Sequence, residues 1–174
     1  MDLLLERSQH RRLDDMVYGM VVSARNGVQH ELLSLPRWQE LSETDRGASF
    51  SAIYETCRLT ALIYADAVLF PLPPSTGWLL KLLDELRQLL ELSNLAQWRD
   101  DTSALLLWSL FVASIAAFKT VHRRFFREAL RSTLHTAQIA TWAATESVLE
   151  GFLWTDSACG RGAAVIWETL DVGT

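Results

Sequence analysis

One acidic residue stands alone in an apolar stretch and is the first candidate for chemistry. Asp66 is the only charged residue between Arg58 and Lys81, and most of its neighbours in the sequence are apolar. A buried carboxylate must be paired or protonated, because burying a bare charge is costly. Two interpretations of Asp66 stay open. It forms a structural salt bridge or backbone hydrogen bond near the following prolines, or it faces a ligand or acts as a general base.

Tryptophan is the second unusual feature, with seven in a chain of 174 residues. Aromatic side chains bury large areas and usually serve packing, but they also line sites for small molecules. A tryptophan-rich core and a ligand site are therefore both retained. The candidate ligand-binding residues are Asp66, Tyr64, Trp108 and Trp142.

Three arginines recur at every fourth position in a predicted amphipathic helix. Arg123, Arg127 and Arg131 line one helix face, whereas Phe125 and Phe126 suit the core side of the same helix. The face is interpreted as a solvated basic surface or as a patch for an acidic protein partner or anionic ligand. Nucleic acid is a third interpretation, but the net charge of −5 argues against it.

Common catalytic and metal-binding motifs do not occur in the sequence. It contains no glycine-rich phosphate loop, no nucleophile elbow and no HExxH motif. The four histidines do not pair at metal-ligand spacing on one helix, and Cys57 and Cys159 are too few for a cysteine zinc site. We therefore expect neither a metal nor a cofactor. If the chain is an enzyme, Asp66 or His122 would move the proton.

The composition of the chain is more apolar than is usual for a soluble domain of this size. Apolar residues make up 49% of the chain, and the mean hydropathy is +0.10. Such values indicate either an unusually rich core or an apolar surface covered by a second copy or a partner protein. The longest uncharged run, residues 102–118, is short for a membrane span of about 20 residues. We interpret it as a central core helix and expect no membrane contact.

Sparse, clustered glycines and prolines, with almost no alternating strand pattern, predict an all-α fold. The expected architecture is an irregular bundle of six to eight helices in a single domain covering residues 1–174. The first helical region should break at Asn26-Gly27. A helix should reach about Leu69. One apolar face of this helix should be formed by Ile53, Cys57, Ala61, Tyr64, Ala65 and Val68, which are spaced three or four apart. In full, helices are predicted over residues 3–22, from 42 to about 69, from 75 to about 90, and over 102–118, 121–134, 138–149 and 163–170.

Three apolar segments follow one another along the chain. They are Cys57–Tyr64 with its continuation to Pro71, Leu105–Ala113 with its continuation to Ala117, and Phe152–Cys159 followed by Trp167. Together they resemble the C-terminal part of the regulatory domain of fungal transcription factors that carry a zinc binuclear cluster. The order and spacing agree over about residues 45–170. The family's cysteine-rich DNA-binding module is not among these residues, so no direct nucleic acid contact is expected from this chain.

The resemblance implies an all-helical regulatory or interaction domain in the nucleus or cytoplasm. It would act through contacts with itself or a partner protein, biased by a small-molecule ligand. The alternative is a small helical enzyme of secondary metabolism, derived from this domain, which holds a hydrophobic substrate in a tryptophan-lined pocket. A purely structural module that forms dimers is a third hypothesis.

Overall fold

Helices make up all the regular structure that is described. The computed structural model describes the backbone of residues 2–37, 40, 48–69, 77–93, 98 and 100–170. It describes the side chains of these residues except 2–15, 25, 48–51, 68, 69, 100 and 101. Within them there are seven α-helices and no β-strand, which confirms the predicted all-α fold of six to eight helices.

The chain divides into two compact units, Met1–Leu35 and Pro36–Thr174. The first unit is one long helix, α1, over Asp2–Ser34. The predicted break at Asn26-Gly27 is wrong, because α1 continues through both residues. One glycine inside a helix costs only about 0.5–1 kcal/mol, and the following residues are compatible with a helix.

The second unit contains the other six helices and two short π-helical segments. Helix α2 covers Ala48–Ile63 and is continued by a π-helical segment over Tyr64–Leu69. The remaining elements are α3 (Trp78–Leu92), α4 (Asp100–Ala117), α5 (Arg123–Thr136), α6 (Trp142–Leu149), a second π-helical segment (Asp156–Gly160) and α7 (Arg161–Glu168).

Helix α4 lies at the centre of this second unit. It packs against α2, α3, α5, α6 and α7. Every residue from Leu106 to Ser114 is buried, so all sides of the helix are covered. This confirms the prediction made for the uncharged run, because a helix that is apolar all round must be enclosed.

Helix α2 and the π-helical segment after it are buried on most sides. On the predicted apolar face Tyr64 and Ala65 are buried, Ile53, Cys57 and Ala61 are half-buried, and the side chain of Val68 lies outside the described residues. Burial extends beyond this face, because Glu55 and Arg58 are buried as well. These two charges neutralise each other, so they are tolerated in the interior.

The predicted helix over 138–149 begins later than expected, at Trp142. Its N-cap is Thr141, whose hydroxyl accepts a hydrogen bond from the Ala144 N–H at 3.3 Å. Gln138 instead ends α5, with a left-handed φ of 55°.

Candidate functional site

Two of the four candidate ligand-binding residues lie against each other. Tyr64 begins the π-helical segment after α2, and its ring centroid is 6.2 Å from that of Trp108 on α4. The ring of Phe152 stacks on Trp108, with 5.9 Å between the ring centroids. The Trp108 Nε1–H donates a hydrogen bond to the carbonyl oxygen of Leu153 at 3.2 Å. Trp108 is only 4% exposed, so this group acts as a packed core that ties residues 152–153 to α4.

Trp142 belongs to a second aromatic group on the same central helix. Its ring lies 6.1 Å from Phe111 of α4 and 5.7 Å from Trp167 of α7, both edge to face. Trp154 meets Phe111 edge to face at 6.2 Å. Edge-to-face pairs at such distances add favourable energy beyond area burial. The two aromatic groups join through α4, which carries Trp108 and Phe111 three residues apart.

The hydroxyl of Tyr64 lies next to the thiol of Cys159. The Cys159 Sγ lies 3.9 Å from the Tyr64 hydroxyl oxygen, and both side chains are buried. Burial raises the pKa of the Tyr64 phenol and the pKa of the Cys159 thiol, because the charged forms lose hydration. Both groups therefore stay protonated at neutral pH, and neither serves there as a base or an anionic nucleophile.

Asp66 accepts a hydrogen bond from the Nε1–H of Trp78, with 2.6 Å between the heavy atoms. It lies in the π-helical segment after α2 and is 3% exposed. Trp78 is the first residue of α3. The bond is a structural interaction of Asp66 with an indole, a donor that the sequence analysis did not consider. Ligand binding by Asp66 stays a prediction.

His122 lies just before α5 and is buried. Its backbone N–H donates to the Thr120 hydroxyl at 3.2 Å, and its carbonyl accepts from the Phe126 N–H at 3.3 Å. Its Nδ1 has no hydrogen-bond partner in the part of the chain described by the structure. Asp66 and His122, the two candidate proton carriers, lie on different elements: Asp66 in the π-helical segment after α2 and His122 just before α5.

The three arginines of α5 line one helix side, as the sequence predicts. Arg123 and Arg131 are exposed and Arg127 is half-buried. The guanidinium of Arg123 lies over the ring of Phe118, 4.4 Å from its centroid. This cation–π contact holds one end of the row in place.

A buried ion pair on α2 was missed by the sequence analysis. Arg58 donates from Nε to Glu55 Oε2 at 3.0 Å and from Nη2 to Oε1 at 2.6 Å. The hydrogen bond that Arg58 donates to the Glu55 carboxylate raises the pKa of Arg58, because it favours the charged guanidinium. The signal was present in the sequence, because opposite charges three residues apart face each other on a helix.

The described residues contain no group of three or more histidine, cysteine or acidic side chains that could hold a metal ion. None of the described helices is long and apolar enough to cross a membrane.

Comparison with known proteins gives one match. The family model described as the fungal specific transcription factor domain matches residues 25–152, about three quarters of the chain. The match contains the first two segments of the resemblance and ends at Phe152, where the third begins. No curated protein and no solved structure matches the chain.

Proposed function

We propose that this chain, which belongs to the fungal specific transcription factor domain family, regulates transcription in the nucleus by contacting other proteins. The family match over residues 25–152 is the observation that carries the regulatory role. Contacts with other proteins are the finer part of the proposal and rest on the chain's own surface.

Helix α1 supports a role in protein contacts. Large apolar side chains are exposed along its described part: Met16, Val17, Tyr18, Met20, Val21, Val28 and Leu33. Apolar surface gains about 25 cal/mol for each Å² removed from water. A helix that exposes so many apolar side chains is therefore stabilised when a partner covers them.

A tethering experiment tests the regulatory role. The full chain is fused to an unrelated DNA-binding domain, and transcription from a reporter gene with the matching sites is measured in a fungal cell. We expect transcription to rise or fall severalfold relative to the DNA-binding domain alone. Equal transcription, with equal protein levels on an immunoblot, would contradict the proposal.

A variant of α1 tests the contacts separately. Val17→Ser, Met20→Ser and Val21→Ser together should abolish the reporter effect. Replacement of exposed polar residues of the same helix, Ser23→Ala and Glu31→Ala, is the control and should preserve it. Circular dichroism must show the same helix content in both variants. If the α1 serine variant changes reporter transcription as much as the wild-type chain does, α1 is not the contact surface. The proposed regulatory role would still stand.

Native mass spectrometry separates the two partners predicted from the sequence, a second copy and a different protein. If α1 pairs with itself, the purified chain is a dimer and the α1 serine variant is a monomer. If the wild-type chain is a monomer, self-association is excluded and the partner is a different protein.

A further inference from the structure

An arginine stripe, consisting of Arg123, Arg127 and Arg131, runs along one side of α5. Residues four apart on a helix lie next to each other, so the stripe extends for about 12 Å along the helix axis. Its three guanidinium groups carry positive charge at every physiological pH. The stripe is thus a short, straight row of fixed cations on a chain whose net charge is −5.

No arginine of this stripe forms a salt bridge within the part of the chain that the structure describes. The salt bridges there use Arg58, Lys81, Arg87 and Arg124. Arg124, on the same helix, pairs with Glu128 at 2.8 Å. Arg124 and, beyond salt-bridge distance, Arg127 lower the pKa of the Glu128 carboxyl. An added acidic group would therefore meet three arginines that are not engaged in an ion pair.

The packing of α5 leaves the stripe on the side away from α3. Phe126, Leu130 and Leu134 point into the core. Phe125 lies on the opposite flank from Arg127, about 160° around the helix axis, and Arg87 of α3 lies over its ring at 5.6 Å. The stripe therefore occupies the flank that α3 does not approach through this contact.

Apolar surface adjoins the first arginine of the stripe. Val121, two residues before Arg123, is 87% exposed. Phe118 is half-buried and carries the Arg123 guanidinium over its ring. A ligand that reaches along the stripe thus finds cations in a row and an apolar contact at the end near the start of α5.

We propose that the arginine stripe and Val121 bind an acidic segment of a partner protein that has an apolar residue at one end. The inference rests on the proposed function and names the partner chemistry for one of its contacts. Carboxylates pair with guanidinium groups through two parallel hydrogen bonds, and an apolar side chain covers Val121. A phosphate backbone has no apolar group to cover Val121. The chain's net charge of −5 opposes any anion, but it opposes a long polyanion more strongly than a short acidic segment.

Fluorescence anisotropy tests this with a labelled synthetic peptide of glutamate and alanine that ends in a leucine pair. The same peptide with glutamine in place of glutamate is the ligand control. The full chain should bind the glutamate peptide and not the glutamine peptide, and added salt should weaken binding. Replacing the stripe by Arg123→Gln, Arg127→Gln and Arg131→Gln should weaken binding about tenfold, at a fraction of a kcal/mol for each exposed pair.

A matched variant removes the same number of charges elsewhere. Arg37→Gln, Lys81→Gln and Arg161→Gln, all at exposed positions outside α5, should leave peptide binding unchanged. Because Arg127 is half-buried, the single variant Arg131→Glu supplies a second test at an exposed position. It should weaken peptide binding and keep the wild-type melting temperature.

Three results would overturn the inference: no binding by the wild-type chain, equal weakening in the matched variant, or tighter binding of a short duplex DNA than of the peptide at physiological salt. The third result would assign the stripe to nucleic acid. If any of these results is found while the tethered chain still changes reporter transcription, the inference about the stripe fails and the proposed function stands. Peptide binding without any reporter effect would overturn the proposed function alone.

Discussion

The carboxylate of Asp66 and the indole of Trp78 are joined by a hydrogen bond of 2.6 Å. Asp66 lies in the π-helical segment that follows α2, and Trp78 opens α3. The bond therefore links the end of one helical region to the start of the next, across twelve positions of sequence. A buried carboxylate gains from such a charge-assisted bond because it has lost the hydration it had in water.

Removing the indole donor should destabilise the chain. We expect Trp78→Phe to lower the free energy of unfolding by about 1.5–3 kcal/mol, because a hydrogen bond to a charged group is worth that much. Asp66→Asn should lower it too. Urea unfolding of the two single variants and the double variant measures the coupling. If the two effects simply add, the bond does not contribute to stability.

A second prediction concerns Gly162, where α7 packs closely on α4. A Cβ added at Gly162 would lie 2.8 Å from the Cγ2 of Ile115, which is too close for two carbon atoms. Gly162→Ala should therefore cost about 1–3 kcal/mol, as overpacking usually does. Thermal unfolding followed by circular dichroism measures it.

Gly160 provides the matched control for Gly162. A Cβ there would meet the Asp156 Cβ at 3.7 Å, an ordinary contact distance. Gly160→Ala should be neutral or slightly stabilising, because Gly160 has helical backbone angles and room for a Cβ. Ile115→Ala should relieve much of the cost of Gly162→Ala. If Gly162→Ala is as stable as Gly160→Ala, the close approach of α7 to α4 is contradicted.

The buried pair of Tyr64 and Cys159 predicts a loss of stability at alkaline pH. Burial raises the pKa of each group above its ordinary value, 10.0 for the phenol and 9.0 for the thiol. As pH rises past these values the unfolded chain loses the protons first. Unfolding then releases protons, and the free energy of unfolding falls with increasing pH.

Urea unfolding between neutral pH and pH values above 10.0 measures this slope. Tyr64→Phe keeps the ring and removes the hydroxyl, so it should make the decline shallower. Tyr18→Phe, at a side chain that is 72% exposed, controls for the loss of a tyrosine hydroxyl. An unchanged slope in Tyr64→Phe would show that the phenol does not contribute.

Burial of α4 could be predicted from the sequence, because it depends on the composition of that helix alone. The uncharged run of α4 could only be enclosed, and it is. The sequence failed where the outcome depended on how residues pair. The sequence analysis did not consider the pair of Glu55 and Arg58, whose mutual hydrogen bonds make the burial of both charges tolerable. The hydrogen bond between Asp66 and the Trp78 indole could not be predicted, because it depends on how the segment after α2 approaches the start of α3.

The end of α5 supplies the last prediction. Gln138 has a φ of 55°, a left-handed conformation that costs a residue with a Cβ about 1–2 kcal/mol. The strain is held by two backbone bonds, from the Gln138 N–H to the His135 carbonyl at 3.1 Å and from the Ile139 N–H to the Leu134 carbonyl at 3.0 Å. This is the Schellman arrangement, in which glycine is the preferred residue.

Gln138→Gly should therefore stabilise the chain by about 1 kcal/mol and raise the melting temperature by about 2–4 °C. Gln138→Ala is the matched control, since it removes the same side chain but keeps the strained Cβ. It should give no comparable gain, because alanine has the same steric difficulty at this φ. Equal melting temperatures for the glycine and alanine variants would show that the left-handed backbone at Gln138 does not limit stability.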